Sequence, residues 1–136
     1  MGQHVRAGGL DIWAEQVGQG PDVLLIGGLG DTVESWQFQL DGLADRYRLT
    51  AFDNRGAGRT AMPPGPVTVE DMADDAAGVL RALDVPSAHV AGFSGGSIIG
   101  QELASRTPSW SAAWSCRAPG WCRTPTFARG VGLFTG

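Results

Sequence analysis

The chain has 136 residues, of which 43% are hydrophobic and 18% charged, and this composition predicts one compact domain rather than a disordered or collagen-like chain. Its formal net charge is −4 and its basic residues are all arginine, so we expect no nucleic-acid partner, no P-loop lysine and no lysine Schiff base. No signal-peptide pattern and no apolar run long enough to span a membrane is present, so we expect a cytoplasmic protein with no membrane partner.

The first part of the chain is predicted to form three strands. Residues 4–7 and 10–17 flank Gly8 and Gly9, a two-residue hairpin signal. A glycine-rich turn follows, and then the apolar run 23–26. An uninterrupted run of this kind is typical of a strand that is buried on both faces, as in a parallel sheet.

Helical and extended patterns alternate after that strand. Trp36, Leu40 and Leu43 recur at helical spacing, and residues 48–52 predict a strand that ends at Asp53. Residues 68–83 predict a helix with an apolar face, which begins at a capping box and ends before a proline. Residues 88–93 predict a short strand, 94–96 a turn and 98–105 a helix. This order predicts an α/β fold, with a mostly parallel sheet and flanking helices.

A G-x-S-x-G pattern lies between the last predicted strand and the last predicted helix, at Gly92-Phe93-Ser94-Gly95-Gly96. The glycines remove Cβ atoms where a sharp strand-to-helix turn crowds the backbone, so Ser94 can be exposed in a strained conformation. Free N–H groups at the start of the helix would stabilise an oxyanion beside the serine. The alternative is a glycine-rich turn with a helix-capping serine.

Glycines also follow the apolar strand 23–26 directly. Gly27 and Gly28 allow close backbone approach, so this loop could present a backbone N–H to the same oxyanion. The competing interpretation is a dinucleotide-binding fingerprint, because Gly28 and Gly30 precede an acidic residue, Asp53, at the end of the next strand. Val33 occupies the third glycine position, where its bulk would prevent the close helix–strand packing of that fold.

Together these segments resemble the α/β-hydrolase fold family, especially its single-domain esterase, lactonase and cofactor-free haloperoxidase-like members. The resemblance spans about residues 10–108. It includes the Gly27-Gly28 loop, Ser35-Trp36, the segment 52–60, Met72-Ala73-Asp74 and the Ser94 turn.

The resemblance implies a serine hydrolase that acts on a small carboxylic ester or lactone without cofactor or metal. Ser94 would be the nucleophile, and the backbone amides of Leu29 and Gly95 would form the oxyanion hole. Asp53 and Arg55 would be structural. Family members usually carry histidine where this chain has Gly27, so a ring that packs this loop is missing. A serine nucleophile argues against epoxide hydrolases and haloalkane dehalogenases, whose nucleophile is a carboxylate.

The base that a serine nucleophile needs is not evident in the sequence. In the family an acid and then a histidine follow the serine, but after Ser94 this chain has only Glu102 and no histidine. His4 lies in the first strand and His89 on the strand that leads to Ser94, so we expect neither to reach the serine hydroxyl. We therefore expect an amino-terminal, truncated hydrolase core with very little turnover. A non-catalytic binding protein and an inert product are the alternatives.

Residues 109–136 differ in composition from residues 1–108, which contain the segments that resemble the amino-terminal part of the α/β-hydrolase core. They contain no acidic residue, both cysteines and three of the five tryptophans. We hypothesise a shift of the coding frame near Thr107 or Pro108, and the alternative is a genuine, flexible carboxy terminus. The spacing of Cys116 and Cys122 matches neither a zinc site nor a thioredoxin motif. The oligomeric state is left open.

Overall fold

A computed structural model describes residues 2–106 of the chain. The strands are β1 (Gly2–Ala7), β2 (Leu10–Val17), β3 (Asp22–Ile26), β4 (Arg48–Phe52) and β5 (His89–Gly92). The α-helices are α1 (Gln37–Leu43), α2 (Val69–Ala82) and α3 (Gly95–Arg106), and a 3₁₀ turn at Val33–Trp36 leads into α1. Within residues 2–106, no helix combines the length and the apolarity needed to cross a bilayer.

The strands form one mixed sheet in the order β1-β2-β4-β3-β5. β1 pairs with β2 and β2 with β4 in antiparallel orientation, whereas β3 pairs in parallel with both β4 and β5. The carboxyl ends of β3, β4 and β5 therefore meet at one edge of the sheet. Helices flank both faces, so the predicted α/β fold is confirmed.

The predicted hairpin is present between β1 and β2. Gly8 and Gly9 have φ values of 57° and 89°, which is the left-handed region that a two-residue type I′ turn requires at both positions. Glycine adopts this region without the steric cost that a Cβ atom would bring. The local sequence alone therefore accounts for this turn.

Both faces of β3 are buried, as the apolar run predicted. Side chains alternate along a strand, so Leu24 and Ile26 pack on one face and Leu25 on the other. The first face carries α2 and α3, whose buried apolar residues include Leu80 and Leu103. The second face carries the 3₁₀ turn and α1, whose buried residues Val33, Trp36 and Leu40 pack in one cluster with Leu49 and Ala51 of β4.

Helix α2 begins and ends near the predicted positions. Thr68 is its N-cap, and its side-chain oxygen accepts a hydrogen bond from the backbone N–H of Asp71 at 3.1 Å. At the other end Asp84 adopts a φ of 56°, and the N–H of Val85 donates to the carbonyl of Leu80 at 2.9 Å. This left-handed residue ends the helix before Pro86 is reached.

Candidate active site

Ser94 lies in the sharp turn between β5 and α3, at the carboxyl edge of the parallel strands. Its φ is 55°, in the left-handed region that residues with a side chain rarely adopt, and the residue is exposed. The N–H of Gly96 donates to the carbonyl of Phe93 at 2.9 Å, which closes the turn immediately. Helix α3 consequently begins at Gly95, whereas the sequence had suggested a turn as far as residue 96.

The glycines on either side of Ser94 lie where the backbone is crowded. A Cβ atom on Gly92 would lie 2.6 Å from the backbone nitrogen of Ser97. A Cβ atom on Gly96 would lie 2.6 Å from the carbonyl carbon of Ile26 and 2.9 Å from the carbonyl oxygen of Gly27. These neighbours are backbone atoms of packed elements and cannot move aside. The turn at Ser94 therefore requires glycine at both positions.

Ser97 stabilises the strained Ser94 by donating hydrogen bonds to the carbonyl group of Ser94. The Ser97 hydroxyl donates to the carbonyl oxygen of Ser94 at 2.6 Å, and the Ser97 N–H donates to the same oxygen at 3.0 Å. Ser97 itself is buried, with 4% of the residue exposed. The sequence analysis did not single out Ser97, because a serine in the first turn of a helix is unremarkable without the fold.

The glycine loop after β3 forms a tight turn from Gly28 to Asp31. The N–H of Asp31 donates to the carbonyl of Gly28 at 3.0 Å, and Gly30 at the third position has a φ of 86°, as in a type II turn. The Asp31 carboxylate in turn accepts from the N–H of Gly28 at 2.7 Å. The amide of Gly28 is thus engaged within the loop, whereas that of Leu29 takes no part in these bonds.

Asn54 ties this loop to the end of β4. Its side chain is buried, with 2% of the residue exposed, and its amide nitrogen donates to the carbonyls of Gly27 at 2.7 Å and Gly28 at 2.9 Å. The sequence analysis missed Asn54 and Asp31. Their only signal was a polar residue in the loop that follows a strand, which does not distinguish a buried, hydrogen-bonded side chain from one in a solvated loop.

The two glycine-rich segments meet beside Ser94. A Cβ atom on Gly95 would lie 3.4 Å from the Cα of Gly28 and 3.8 Å from the backbone nitrogen of Leu29. A Cβ atom on Gly28 would lie 3.5 Å from the backbone nitrogen of Gly95. The structure thus brings together Leu29, Gly95 and the serine. Their roles as oxyanion donors and nucleophile stay predictions.

The carboxylate of Asp53, the residue that follows β4, is buried and accepts hydrogen bonds from neighbouring residues. Asp53 is 0% exposed, and its carboxylate accepts from the N–H of Val33 at 2.8 Å and from the N–H and Nε of Arg59 at 2.9 and 2.8 Å. Burial alone would raise the pKa of Asp53, but these hydrogen bonds outweigh burial and lower the pKa below its usual value. Its oxygens are occupied within the protein, which argues against the ribose contact of a dinucleotide site.

An ion pair between Arg55 and Asp75 holds the loop that follows β4. Arg55 donates from Nε and Nη2 to the two carboxylate oxygens of Asp75 on α2, at 2.7 and 2.9 Å. Both side chains are largely buried. This bidentate contact fixes the loop after β4 against α2, so Arg55 has a structural role.

Neither histidine lies near Ser94 in the structure. The His4 ring packs edge-on against Trp13, with ring centroids 5.1 Å apart, and its Nε2 lies 3.1 Å from the carbonyl of Arg59. His89 pairs with Val23 at the amino end of β5, about 10 Å or more along the strand from the turn at Ser94. Glu102 lies about two turns along α3.

No group of three or more His, Cys, Asp or Glu side chains that could hold a metal occurs in the part of the chain that the structure describes. Cys116 and Cys122 lie outside the described residues, and so does the segment 109–136 with its proposed boundary at 108.

Comparison with known proteins yields a consistent set of relatives. A family model described as alpha/beta hydrolase fold matches residues 21–127. The chain is 36% identical over 126 residues to the protein named "Putative carbamate hydrolase RutD" from Azorhizobium caulinodans, covering 93% of this chain and 47% of that protein. The family match continues beyond the described residues and into the segment 109–136.

Two solved structures resemble the described fold closely. The epoxide hydrolase VrEH1 from Vigna radiata superposes with a TM-score of 0.79 at 27% identity, covering 85% of this chain and 37% of that one. The enol-lactonase from Burkholderia xenovorans superposes with a TM-score of 0.78 at 26% identity, covering 83% of this chain and 45% of that one. The chain therefore spans less than half the length of each of these relatives.

Proposed function

This chain belongs to the alpha/beta hydrolase fold family, and we propose that Ser94 is the nucleophile of a hydrolase that acts on a small carboxylic ester or lactone. The observation that carries the proposal is the conformation of Ser94, an exposed serine with a φ of 55° at the start of α3. A strained backbone at an exposed serine is costly, and such strain is characteristic of functional sites.

In the proposed reaction the Oγ of Ser94 attacks the carbonyl carbon of the substrate. The carbonyl oxygen becomes an oxyanion, which accepts hydrogen bonds from the backbone N–H groups of Leu29 and Gly95. Collapse of this intermediate breaks the bond to the leaving oxygen, which takes up the proton that the base removed from Ser94, and forms an acyl-enzyme, which water then hydrolyses. A single donor of this kind contributes roughly a hundredfold to a thousandfold in rate.

The serine proton requires a base, and we propose that these 136 residues do not supply it. The sequence contains only two histidines, and the structure holds both of them away from Ser94. Loss of the base costs about as much rate as loss of the whole triad in serine proteases, so we expect the chain alone to turn over very little.

We propose that the coding frame is shifted near Thr107 or Pro108, so that residues 109–136 are an out-of-frame translation. The coding DNA is sequenced from the codon of Ser94 onward. A one-base correction that opens a frame through an acidic residue and then a histidine would support the proposal. A confirmed frame without such a continuation would remove it.

We propose a lactone or another small carboxylic ester as the first candidate substrate, because the chain is similar to an enol-lactonase. A carbamate is the second candidate, because the chain is also similar to a protein named as a carbamate hydrolase. Both substrates present a carbonyl carbon to a serine nucleophile. An epoxide substrate is not proposed, because Ser94 occupies the place where that chemistry uses a carboxylate.

Labelling with a fluorophosphonate tests the nucleophile, with free imidazole supplied as a replacement base. We expect slow labelling of Ser94 in buffer, and faster labelling with imidazole, because general base catalysis contributes about a hundredfold or more. Mass spectrometry of the modified peptide identifies the residue. Ser94→Ala should abolish labelling, whereas the matched variant Ser105→Ala changes an exposed serine on the same helix and should not.

Two results would contradict the proposal in different ways. Rapid labelling of the 136-residue chain without imidazole would show that a base is already present. No labelling of Ser94 at any imidazole concentration would remove Ser94 as the nucleophile.

A further inference from the structure

A buried side chain holds two consecutive carbonyl groups of the loop that precedes Leu29. The Nδ2 of Asn54 donates to the carbonyls of both Gly27 and Gly28, and both acceptors lack a hydrogen to donate, which fixes the orientation of the Asn54 amide group. The backbone N–H of Asn54 also donates to the carbonyl of Asp31, at 3.4 Å. One residue therefore fastens the loop at three points.

Asp31 completes the arrangement from within the loop. Its carboxylate accepts from the N–H of Gly28 at 2.7 Å, while its own N–H donates to the Gly28 carbonyl. The carbonyl of Gly27 and both backbone polar groups of Gly28 are thus occupied. Leu29 is the next residue, and its N–H is not a donor in any of these bonds, so the loop leaves this amide unengaged.

Gly27 makes room for the Asp31 side chain. A Cβ atom on Gly27 would lie 2.6 Å from the Cβ of Asp31 and 3.2 Å from its carboxylate. Any larger residue at position 27 would therefore displace Asp31 from its contact with Gly28. The absence of a side chain at Gly27 therefore permits the contact between Asp31 and Gly28.

We propose that Asn54 and Asp31 are positioning residues, which fix the Gly27–Leu29 backbone so that the amide of Leu29, and not that of Gly28, serves as the oxyanion donor beside Ser94. This inference rests on the proposed function. It assigns neither residue a contact with the substrate, because both act through the backbone that they hold.

The experiment measures the rate of Ser94 labelling by the fluorophosphonate at saturating imidazole, together with hydrogen exchange of the loop peptide and the Tm. We expect Asp31→Ala to slow labelling about tenfold or more, because small misplacements of a reacting geometry are costly in rate. Asp31→Asn retains an oxygen acceptor for the Gly28 N–H, so it should label within about threefold of the original chain. Loop exchange should rise in Asp31→Ala and remain low in Asp31→Asn.

Asn54→Ala should slow labelling at least as much as Asp31→Ala. Its matched control is Gln16→Ala, which removes another side-chain amide that donates a single hydrogen bond, to Thr50 at 3.1 Å on the sheet. Gln16→Ala should lower the Tm but leave the labelling rate unchanged. If Asn54→Ala does not fold, the comparison of Asp31→Ala with Asp31→Asn decides.

The outcomes separate the two proposals. Labelling of Asp31→Ala at the rate of the original chain, with unchanged loop exchange, would overturn the positioning roles while leaving Ser94 as the nucleophile. Absence of labelling in the original chain would instead overturn the proposed function, and the positioning roles with it.

Discussion

Replacement of Ser94 by glycine should stabilise the protein while it abolishes labelling. The φ of 55° at this residue brings the Cβ atom close to the following carbonyl oxygen, at a cost of about 1–2 kcal/mol for a residue other than glycine. Ser94→Ala removes the same hydroxyl but keeps the Cβ atom. A comparison of the two variants therefore isolates the backbone strain from the loss of the side-chain oxygen.

The difference in the free energy of unfolding between Ser94→Gly and Ser94→Ala is the strain energy that glycine relieves minus the additional conformational entropy that glycine loses on folding. With about 1–2 kcal/mol of relief and about 0.5–1 kcal/mol of additional unfolded-state entropy, Ser94→Gly should be more stable than Ser94→Ala by about 0.5–1 kcal/mol. For a domain of this size that corresponds to a Tm higher by about 2–4 °C. Differential scanning calorimetry resolves such a shift.

Asp84 provides a matched reference away from the site. Its φ is 56°, and it is an exposed residue at the end of α2. Asp84→Gly and Asp84→Ala should differ by the same amount and in the same direction as the pair at Ser94. If the Asp84 pair shows the difference and the Ser94 pair does not, the strain at the serine, and the argument from it to function, is refuted.

Two further predictions concern the support of the site. Gly96→Ala should lower the Tm sharply or prevent folding, because its Cβ atom would overlap the backbone of Ile26. Gly42 on α1 has open space around it, so Gly42→Ala should raise the free energy of unfolding by about 0.5–1 kcal/mol. Thermal melts of both variants test this pair of predictions. The lowered pKa of Asp53 stabilises the fold above the unfolded-state pKa of about 3.9, and this stability is lost as the pH falls through the lower folded pKa. Asp53→Asn should cost about 1.5–3 kcal/mol at pH 7, because the hydrogen bonds from Val33 and Arg59 lose their charged acceptor, and it should make the Tm less dependent on pH below about 4. An unchanged acid dependence would contradict the assignment.

The amino-acid sequence was sufficient to predict the strands and helices and the position of the turn at Ser94. The apolar run in β3, the Gly8-Gly9 hairpin and the cap at Thr68 all depend on interactions within a few residues, and each is present as predicted. The start of α3 was placed too late, because glycines lower helix propensity, whereas the packed turn at Ser94 imposes helical geometry from Gly95 onward.

Residue types at fixed spacing thus determined the α/β class and the glycines that the turn at Ser94 requires, because these depend on local backbone chemistry and on composition. Only the tertiary structure decided that Asn54 holds Gly27 and Gly28, that Asp31 occupies the amide of Gly28, and that Asp53 is enclosed rather than open to a ligand. Asn54 lies 26 and 27 residues from its acceptors along the chain. Such contacts form only when parallel strands bring distant loops to the same edge of a sheet, and no local pattern encodes that proximity.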